Sequence, residues 1–195
     1  MRVVVLDFET TGLSAENDRV IEVGAVALDG KNCVDTFSQL IHPGDYLPYQ
    51  ITQITGITDE MLYDKPPAAE VMPQLAEFIA DRTIIAHNAP FDKKFLDAEM
   101  NRVGLQVLNP VLCTLKLARR VMPGHSSYSL GNLAQHLGIQ MERAHRALDD
   151  AKATAYLWRH MYEEINAQMT QELDTAIFED LSNKSAKQVQ KLFSI

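Results

Sequence analysis

Apolar residues follow two patterns along the chain, and each predicts a different kind of element. Near the N-terminus, β-rich apolar runs at 2–8 and 20–28 flank a polar loop, and the Asp29-Gly30 pair that follows is a strong hairpin signal. A third strand is therefore expected at 32–41, antiparallel to the second. Prolines punctuate the next stretch, which predicts loops and short helices until helical spacing begins at residue 71.

From residue 71 onward, short apolar runs alternate with segments of helical spacing. Short strands are predicted at 83–86 and 111–113, and helices at 71–80, 90–103, 114–122, 129–137 and 146–169. Strands first, followed by strands that alternate with helices, predict an α/β domain with a mixed five-stranded sheet and helices on both faces. We assign this domain to residues 1–165 and a helical C-terminal extension to residues 166–195.

The C-terminal extension carries an apolar stripe at roughly helical intervals. Its members are Leu173, Ile177, Leu181, Val189, Leu192 and Phe193. Such a stripe most often packs against its own domain, but it also suits a helix that docks on a partner protein. The pattern alone leaves both interpretations open.

Composition narrows the class of protein. The 195 residues suit one compact domain, since 46% are hydrophobic and 23% are charged, close to the globular average. A net charge of −8 disfavours a histone-like or polybasic membrane-surface protein. Two cysteines, the lack of a signal-peptide core and the lack of a long apolar run predict a soluble cytoplasmic protein that binds no membrane.

The acidic total hides a basic segment. Residues 93–152 hold nine basic and five acidic side chains, and no Asp or Glu occurs in 100–141. Lys116, Arg119 and Arg120 fall in that interval, on a predicted helix. The segment is either an ordinary solvated surface or a patch that contacts a polyanion.

Asp7 and Glu9 stand two positions apart at the end of the first apolar strand. The period of two points both side chains to one face of the strand, where two carboxylates repel each other unless a cation lies between them. Hard oxygen ligands of this kind select Mg²⁺ or Mn²⁺. The plainer interpretation is that the strand ends there and both acids lie in water.

Two further acidic groups stand where predicted helices begin. His87-Asn88-Ala89-Pro90-Phe91-Asp92 directly follows a predicted strand, and His145 precedes the pair Asp149-Asp150 at the start of the longest helix. Acids in a first helical turn often serve only to complement the helix dipole. Neither group identifies a site by itself.

Taken together, the three groups resemble the three exonuclease motifs of the DEDDh family in order and approximate spacing. That family includes exonuclease X and the epsilon proofreading subunits of bacterial replicative polymerases. Residues 54–62 also resemble the segment that follows the third strand in epsilon-like members. The resemblance covers about residues 1–165. It implies a ribonuclease H-like fold and the hydrolytic release of nucleoside 5′-monophosphates from DNA 3′ ends.

The resemblance also implies a role for each motif residue. Asp7, Glu9, Asp92 and Asp150 would hold two Mg²⁺ or Mn²⁺ ions, with Glu9 also counted as catalytic and His145 as general base. This set suits two-metal hydrolysis, in which one ion and the base generate hydroxide and the second ion stabilises the leaving 3′ oxygen.

Spacing and resemblance disagree over the pair Asp149-Asp150. If His145 were helical, Asp149 at i+4 would share its face and Asp150 would point away. The family pattern instead selects Asp150 and requires His145 to lie in the loop before the helix.

The first and second motifs also supply candidates for substrate binding. By resemblance these are Thr10, Thr11, Gly12, Leu13, Asn88 and Phe91. Gly12 would allow close backbone approach, and Leu13 would wedge against the last base unless it is a plain core residue. Thr55 stands where epsilon-like members often carry His, a departure that bears on contacts near the terminal nucleotide and not on the metal site.

Three functions stay open on the sequence. The leading one is a metal-dependent 3′ to 5′ exonuclease acting on single-stranded or frayed DNA ends. An RNA-directed exonuclease of the same family is the alternative within the enzyme class. The motif residues suit contacts with phosphate and metal, not with the 2′-hydroxyl that distinguishes RNA from DNA. The third is an accessory subunit that mainly binds a polymerase or sliding clamp, since 188–193 loosely resembles bacterial clamp-binding peptides.

Overall fold

The computed structural model describes residues 1–141 and 145–193, and within them five strands form one mixed sheet in the order β3-β2-β1-β4-β5. The strands are β1 (Arg2–Thr10), β2 (Val20–Asp29), β3 (Asn32–Leu40), β4 (Thr83–Ala86) and β5 (Val111–Cys113). The first three strands are antiparallel neighbours, whereas β4 runs parallel to both β1 and β5. The predicted fold class is therefore confirmed.

Nine helices accompany the sheet in the described ranges. They are α1 (Tyr49–Thr55), α2 (Asp59–Leu62), α3 (Ala68–Ile79), α4 (Ala89–Arg102), α5 (Thr114–Val121), α6 (Leu130–His136), α7 (Ala147–Gln168), α8 (Thr175–Asn183) and α9 (Ala186–Phe193). The prediction for α3 was wrong at its start, because the helix begins three residues early and contains Pro73. Its buried apolar face offsets the one backbone hydrogen bond that the proline removes.

The position of a residue along β1 decides which of two cores its side chain enters. Val3 and Val5 join the core that contains Trp158 of α7, whereas Val4 joins the core between the sheet and the helices α3 and α4. This alternation follows from the period of two in a strand. The odd-numbered acids Asp7 and Glu9 continue the first series, so their side chains lie on the face of the sheet that α7 covers.

The C-terminal helices α8 and α9 pack against the same domain, around α5. Leu173, Phe178, Leu181 and Val189 are buried in the core that α7 shares, whereas Leu192 is 42% exposed. Most residues of the apolar stripe are therefore buried within this chain. The domain boundary at residue 165 stays a proposal.

Two smaller expectations concern the thiols and membrane spans. Cys33 is exposed and Cys113 is buried, and both are free thiols. In the described ranges, no helix combines the length and apolar character that crossing a bilayer requires.

Candidate active site

Four carboxyl groups converge at the edge of the sheet where the parallel strands β1 and β4 end. Asp7 and Glu9 are on β1, and Asp92 lies in the first turn of α4, directly after β4. Asp150 reaches the same edge from the first turn of α7. Single ligand atoms of Glu9, Asp150 and His145 all lie within 4.8 Å of one another.

His145 occupies the turn before α7 in a left-handed conformation, with φ of 62°. Its backbone N–H donates to Asp150 Oδ2 at 3.2 Å, while its side chain is exposed. His145 thus lies outside the helix, as the family pattern requires. Asp149 instead forms an ion pair with Lys152, at 3.7 Å.

Gly24 on β2 allows α7 to begin against the sheet. It pairs in register with Asp7, and a Cβ at this position would lie 2.2 Å from the backbone of Ala147 and Leu148. Any larger residue would therefore push the start of α7 away from the strand that carries Asp7 and Glu9.

Glu22 and Arg146 form a second contact between β2 and the start of α7. The buried Glu22 carboxylate accepts hydrogen bonds from the Arg146 guanidinium and, at 3.0 Å, from the N–H of Ala147. Sequence reasoning missed Gly24, Glu22 and Arg146. The available signal was an acid and a glycine, two positions apart, inside an otherwise apolar strand.

Desolvation makes the four carboxyl groups hard to ionise, and repulsion from the other acids of the cluster adds to this at Asp7 and Glu9. Burial raises the pKa of Glu9 to about 8, and the charges of Asp150 and other acids add to the rise. Burial also raises the pKa of Asp92 to about 8 and that of Asp150 to about 6. The pKa of Asp7 is raised well above its ordinary value, first by burial and then by Asp92 and Asp150.

The donor set fits a hard divalent cation. Asp150 Oδ1 is buried and has no hydrogen-bond donor among the described residues, so one carboxylate oxygen remains unsatisfied. The carboxylate and imidazole atoms beside it lie close enough together to share an ion. A bound cation would also reverse the electrostatic cost of ionising the cluster.

The loop after β1 uses its polar groups to hold its own shape. The Thr10 hydroxyl donates to the Gly12 carbonyl at 2.6 Å, and the Thr11 hydroxyl accepts from the Arg19 N–H at 2.9 Å. A Cβ at Gly12 would lie 2.4 Å from the Asp18 carboxylate. Leu13 is 87% exposed at the tip, so it is not a core residue.

Glu99 anchors this loop to α4. Its fully buried carboxylate accepts from Arg19 Nε at 2.9 Å and pairs with Arg102 Nη1 at 3.0 Å. Arg102 also donates to the carbonyls of Ala15 and Glu16 in the loop. The loop and Asp92 are therefore mounted on the same helix.

The remaining candidates lie around the second motif. Asn88 is exposed at the N-terminus of α4 with φ of 65°, and Phe91 is half-buried with its ring 5.0 Å from that of Phe95. Thr55 is buried, and its hydroxyl donates to the Ile51 carbonyl at 2.9 Å. Thr55, the residue that stands where epsilon-like members often carry His, is thus hydrogen-bonded within the last turn of α1.

The basic stretch on α5 divides into two parts. Lys116 and Arg119 are exposed, and the Arg119 guanidinium lies 5.9 Å from the centre of the Tyr128 ring. Arg120 is half-buried, and its backbone carbonyl accepts from the Gln190 side chain on α9. Two of the three residues predicted to contact phosphate are thus exposed.

Comparison with known proteins agrees with this geometry. A family model described as exonuclease (RNase_T) matches residues 4–158. The PolC-type DNA polymerase III of Clostridium perfringens is 42% identical over 166 residues, which cover 85% of this chain but only 12% of that protein. The DNA polymerase III subunit epsilon of Aquifex aeolicus is 40% identical over 163 residues, 83% of this chain and 81% of that subunit.

Among solved structures, exonuclease X in complex with 5′-overhanging duplex DNA has a similar fold. The TM-score is 0.73 at 27% identity, with 93% of this chain and 99% of that chain covered. The similarity therefore extends beyond the motifs to nearly the whole chain.

Proposed function

The chain belongs to the exonuclease family, and from that premise we propose that it removes nucleoside 5′-monophosphates from DNA 3′ ends by metal-dependent hydrolysis. The observation that carries the proposal is the convergence of Asp7, Glu9, Asp92, Asp150 and His145 at one edge of the sheet. These are the residue types that two-metal phosphodiester hydrolysis needs.

The exonuclease family depends on divalent metal. For this chain we propose two Mg²⁺ or Mn²⁺ ions held by Asp7, Glu9, Asp92 and Asp150. The raised pKa values and the unsatisfied Asp150 Oδ1 support this assignment. A bound cation would lower these pKa values and would give Asp150 Oδ1 a partner. When bound, the ions polarise the scissile phosphate and stabilise the charge that develops on the leaving 3′ oxygen.

We assign His145 as the general base. Its exposed side chain stands beside Glu9 and Asp150, within reach of a water molecule that attacks phosphorus in line with the leaving oxygen. The imidazole takes one proton from that water and releases it to solvent. The resulting hydroxide forms a new bond to phosphorus as the bond between phosphorus and the 3′ oxygen breaks, and the leaving 3′ oxygen takes a proton from solvent. The products are a shortened strand with a 3′-hydroxyl and a free nucleoside 5′-monophosphate.

We assign the loop after β1 to recognition of the terminal nucleotide. The hydroxyls of Thr10 and Thr11 are engaged within the loop, so this role falls to the backbone around Gly12 and to the exposed Leu13 side chain. An apolar side chain stacks on any base, which suits an enzyme that removes all four nucleotides. Asn88 and Phe91 are proposed to line the other side, next to Asp92.

DNA is the proposed substrate and a DNA polymerase the proposed partner, because the relatives quoted above are named as DNA polymerase III proteins. The clamp alternative has less support. The segment proposed to bind a clamp lies in α9, where Val189 is fully buried in its own domain.

The test compares initial rates on three 5′-labelled substrates of one sequence: single-stranded DNA, duplex DNA with a 3′ mismatch, and RNA. With Mg²⁺ or Mn²⁺ we expect stepwise release of monophosphates, fastest from unpaired DNA ends. Asp7→Asn serves as the inactive control. Cleavage that survives exhaustive chelation would overturn the metal-dependent mechanism, and faster cleavage of RNA would select the exoribonuclease alternative.

A further inference from the structure

A buried ion pair holds the segment that carries His145. The side chain of Glu22, on β2, is only 3% exposed, and that of Arg146 is 24% exposed. Arg146 Nε lies 3.1 Å from both carboxylate oxygens, and Nη2 lies 2.6 Å from Oε1. The N–H of Ala147 donates to the other oxygen, Oε2, at 3.0 Å, so one carboxylate joins the turn and the helix start.

The position of this pair gives it a specific effect. Glu22 is directly opposite Glu9 in the register between β1 and β2, and Arg146 is the residue after His145. Two residues along β2, Gly24 contacts the backbone of Ala147. The pair therefore fixes the distance between the sheet edge and the turn from which the imidazole projects.

The backbone of His145 needs such support. A left-handed conformation is unfavourable for a residue with a Cβ and persists only when its surroundings enforce it. Asp150 holds the N–H of His145 on one side, and Glu22 holds Arg146 and Ala147 on the other. Without Glu22, one of these two restraints is lost.

We propose that Glu22 and Arg146 are positioning residues that aim the His145 imidazole at the attacking water; this rests on the proposed role of His145 as general base. Glu22 is not one of the proposed metal ligands, because both of its oxygens are already bonded to Arg146 and Ala147. Loss of the pair is therefore expected to impair proton removal and to leave metal binding intact.

The first experiment changes the pair and measures kcat, KM and Mn²⁺ affinity on single-stranded DNA. Arg146→Lys keeps the charge but lacks the two-pronged geometry, and Glu22→Gln keeps the shape. We expect kcat to fall by about 10- to 100-fold in each variant, as for other groups that orient an active-site ligand. For Arg146→Lys, which leaves the net charge beside Glu9 unchanged, KM and the Mn²⁺ dissociation constant should stay within about twofold.

Glu163→Gln is the matched control. Glu163 on α7 pairs with Lys31 in the β2–β3 turn at 2.9 Å, so this pair also joins the hairpin to α7, but in solvent. Its loss should leave kcat unchanged. If Arg146→Lys has no more effect on kcat than Glu163→Gln, the proposal is wrong.

A double-mutant cycle with His145→Ala separates positioning of the imidazole from a general structural role. If the pair acts through His145, Arg146→Lys should lose its effect on kcat once the imidazole is absent. An equal loss of kcat in both backgrounds would overturn the proposal while leaving the exonuclease assignment intact. Full activity of His145→Ala alone would instead overturn the general-base assignment, and with it this proposal.

Discussion

Gly24→Ala tests the closest approach in the site. A Cβ there would lie 2.2 Å from the carbonyl carbon of Ala147 and from the nitrogen of Leu148, whereas ordinary contact begins at 3.4 Å. Both neighbours are backbone atoms, so no side chain can rotate away. Strand and helix must separate by about 1 Å to restore ordinary contact distances.

That separation acts directly on the chemistry. Asp150 and His145 move with the start of α7, whereas Asp7 and Glu9 stay on β1. Misplacing reacting groups by about 1 Å costs on the order of 10²-fold in rate. Overpacking of this kind also destabilises a fold by about 1–3 kcal/mol. We therefore expect Gly24→Ala to remain folded, with kcat lowered about 10²-fold.

The assay measures kcat on labelled single-stranded DNA at saturating Mn²⁺ and the free energy of unfolding in guanidinium. Gly131→Ala is the control, because a Cβ at Gly131, on α6, meets no atom within 4 Å. That change should leave kcat unaffected and raise stability by about 0.4–1 kcal/mol. A Gly24→Ala variant with the rate and stability of the unmodified protein would refute the reasoning.

Three further predictions concern charge. Because burial raises the pKa of Glu9 from 4.5 to about 8 on folding, the metal-free protein should lose about 3 kcal/mol of stability from this group between pH 5 and pH 8. Saturating Mn²⁺ should remove that loss, and a flat profile in EDTA would contradict it. Asp150→Ala should abolish cleavage and weaken metal binding while Asp149→Ala keeps near-normal kcat; the reverse result would show that the wrong acid is assigned. Changing Lys116 and Arg119 to Ala should reduce the salt dependence of single-strand binding by about 1.4 in the log–log slope, with saturated turnover preserved, and an unchanged slope would exclude phosphate contacts.

Local periodicity was enough to predict the acidic end of β1. The alternation that buries Val3 and Val5 also places Asp7 and Glu9 on the face that α7 covers, and a few residues of sequence are enough to predict this alternation. The choice between Asp149 and Asp150 could not be predicted from local spacing. Helical spacing fails there because His145 is left-handed and precedes the helix.

Contacts between distant segments were beyond local patterns. Glu22 and Arg146 are 124 positions apart, so no local sequence pattern predicts that they form a pair. Gly24 stands out in an apolar strand, but only the approach of α7 explains it. The apolar stripe at the C-terminus likewise fits its own domain or a partner equally well until its buried members, such as Phe178 and Val189, are seen in the core.

The anchoring of the loop after β1 separates the tip that we propose to contact the terminal nucleotide from the residues that hold the loop in place. Glu99, Arg19 and Arg102 form its buried attachment to α4, whereas Leu13 stands at a solvent-exposed tip. Substitution at the tip costs the fold little, because exposed side chains away from such networks contribute little to stability. Substitution at Glu99 leaves two guanidinium groups without their carboxylate. Selection, or a protein engineer, can therefore diversify the tip for new nucleic-acid termini while inheriting an unchanged hydrolytic centre.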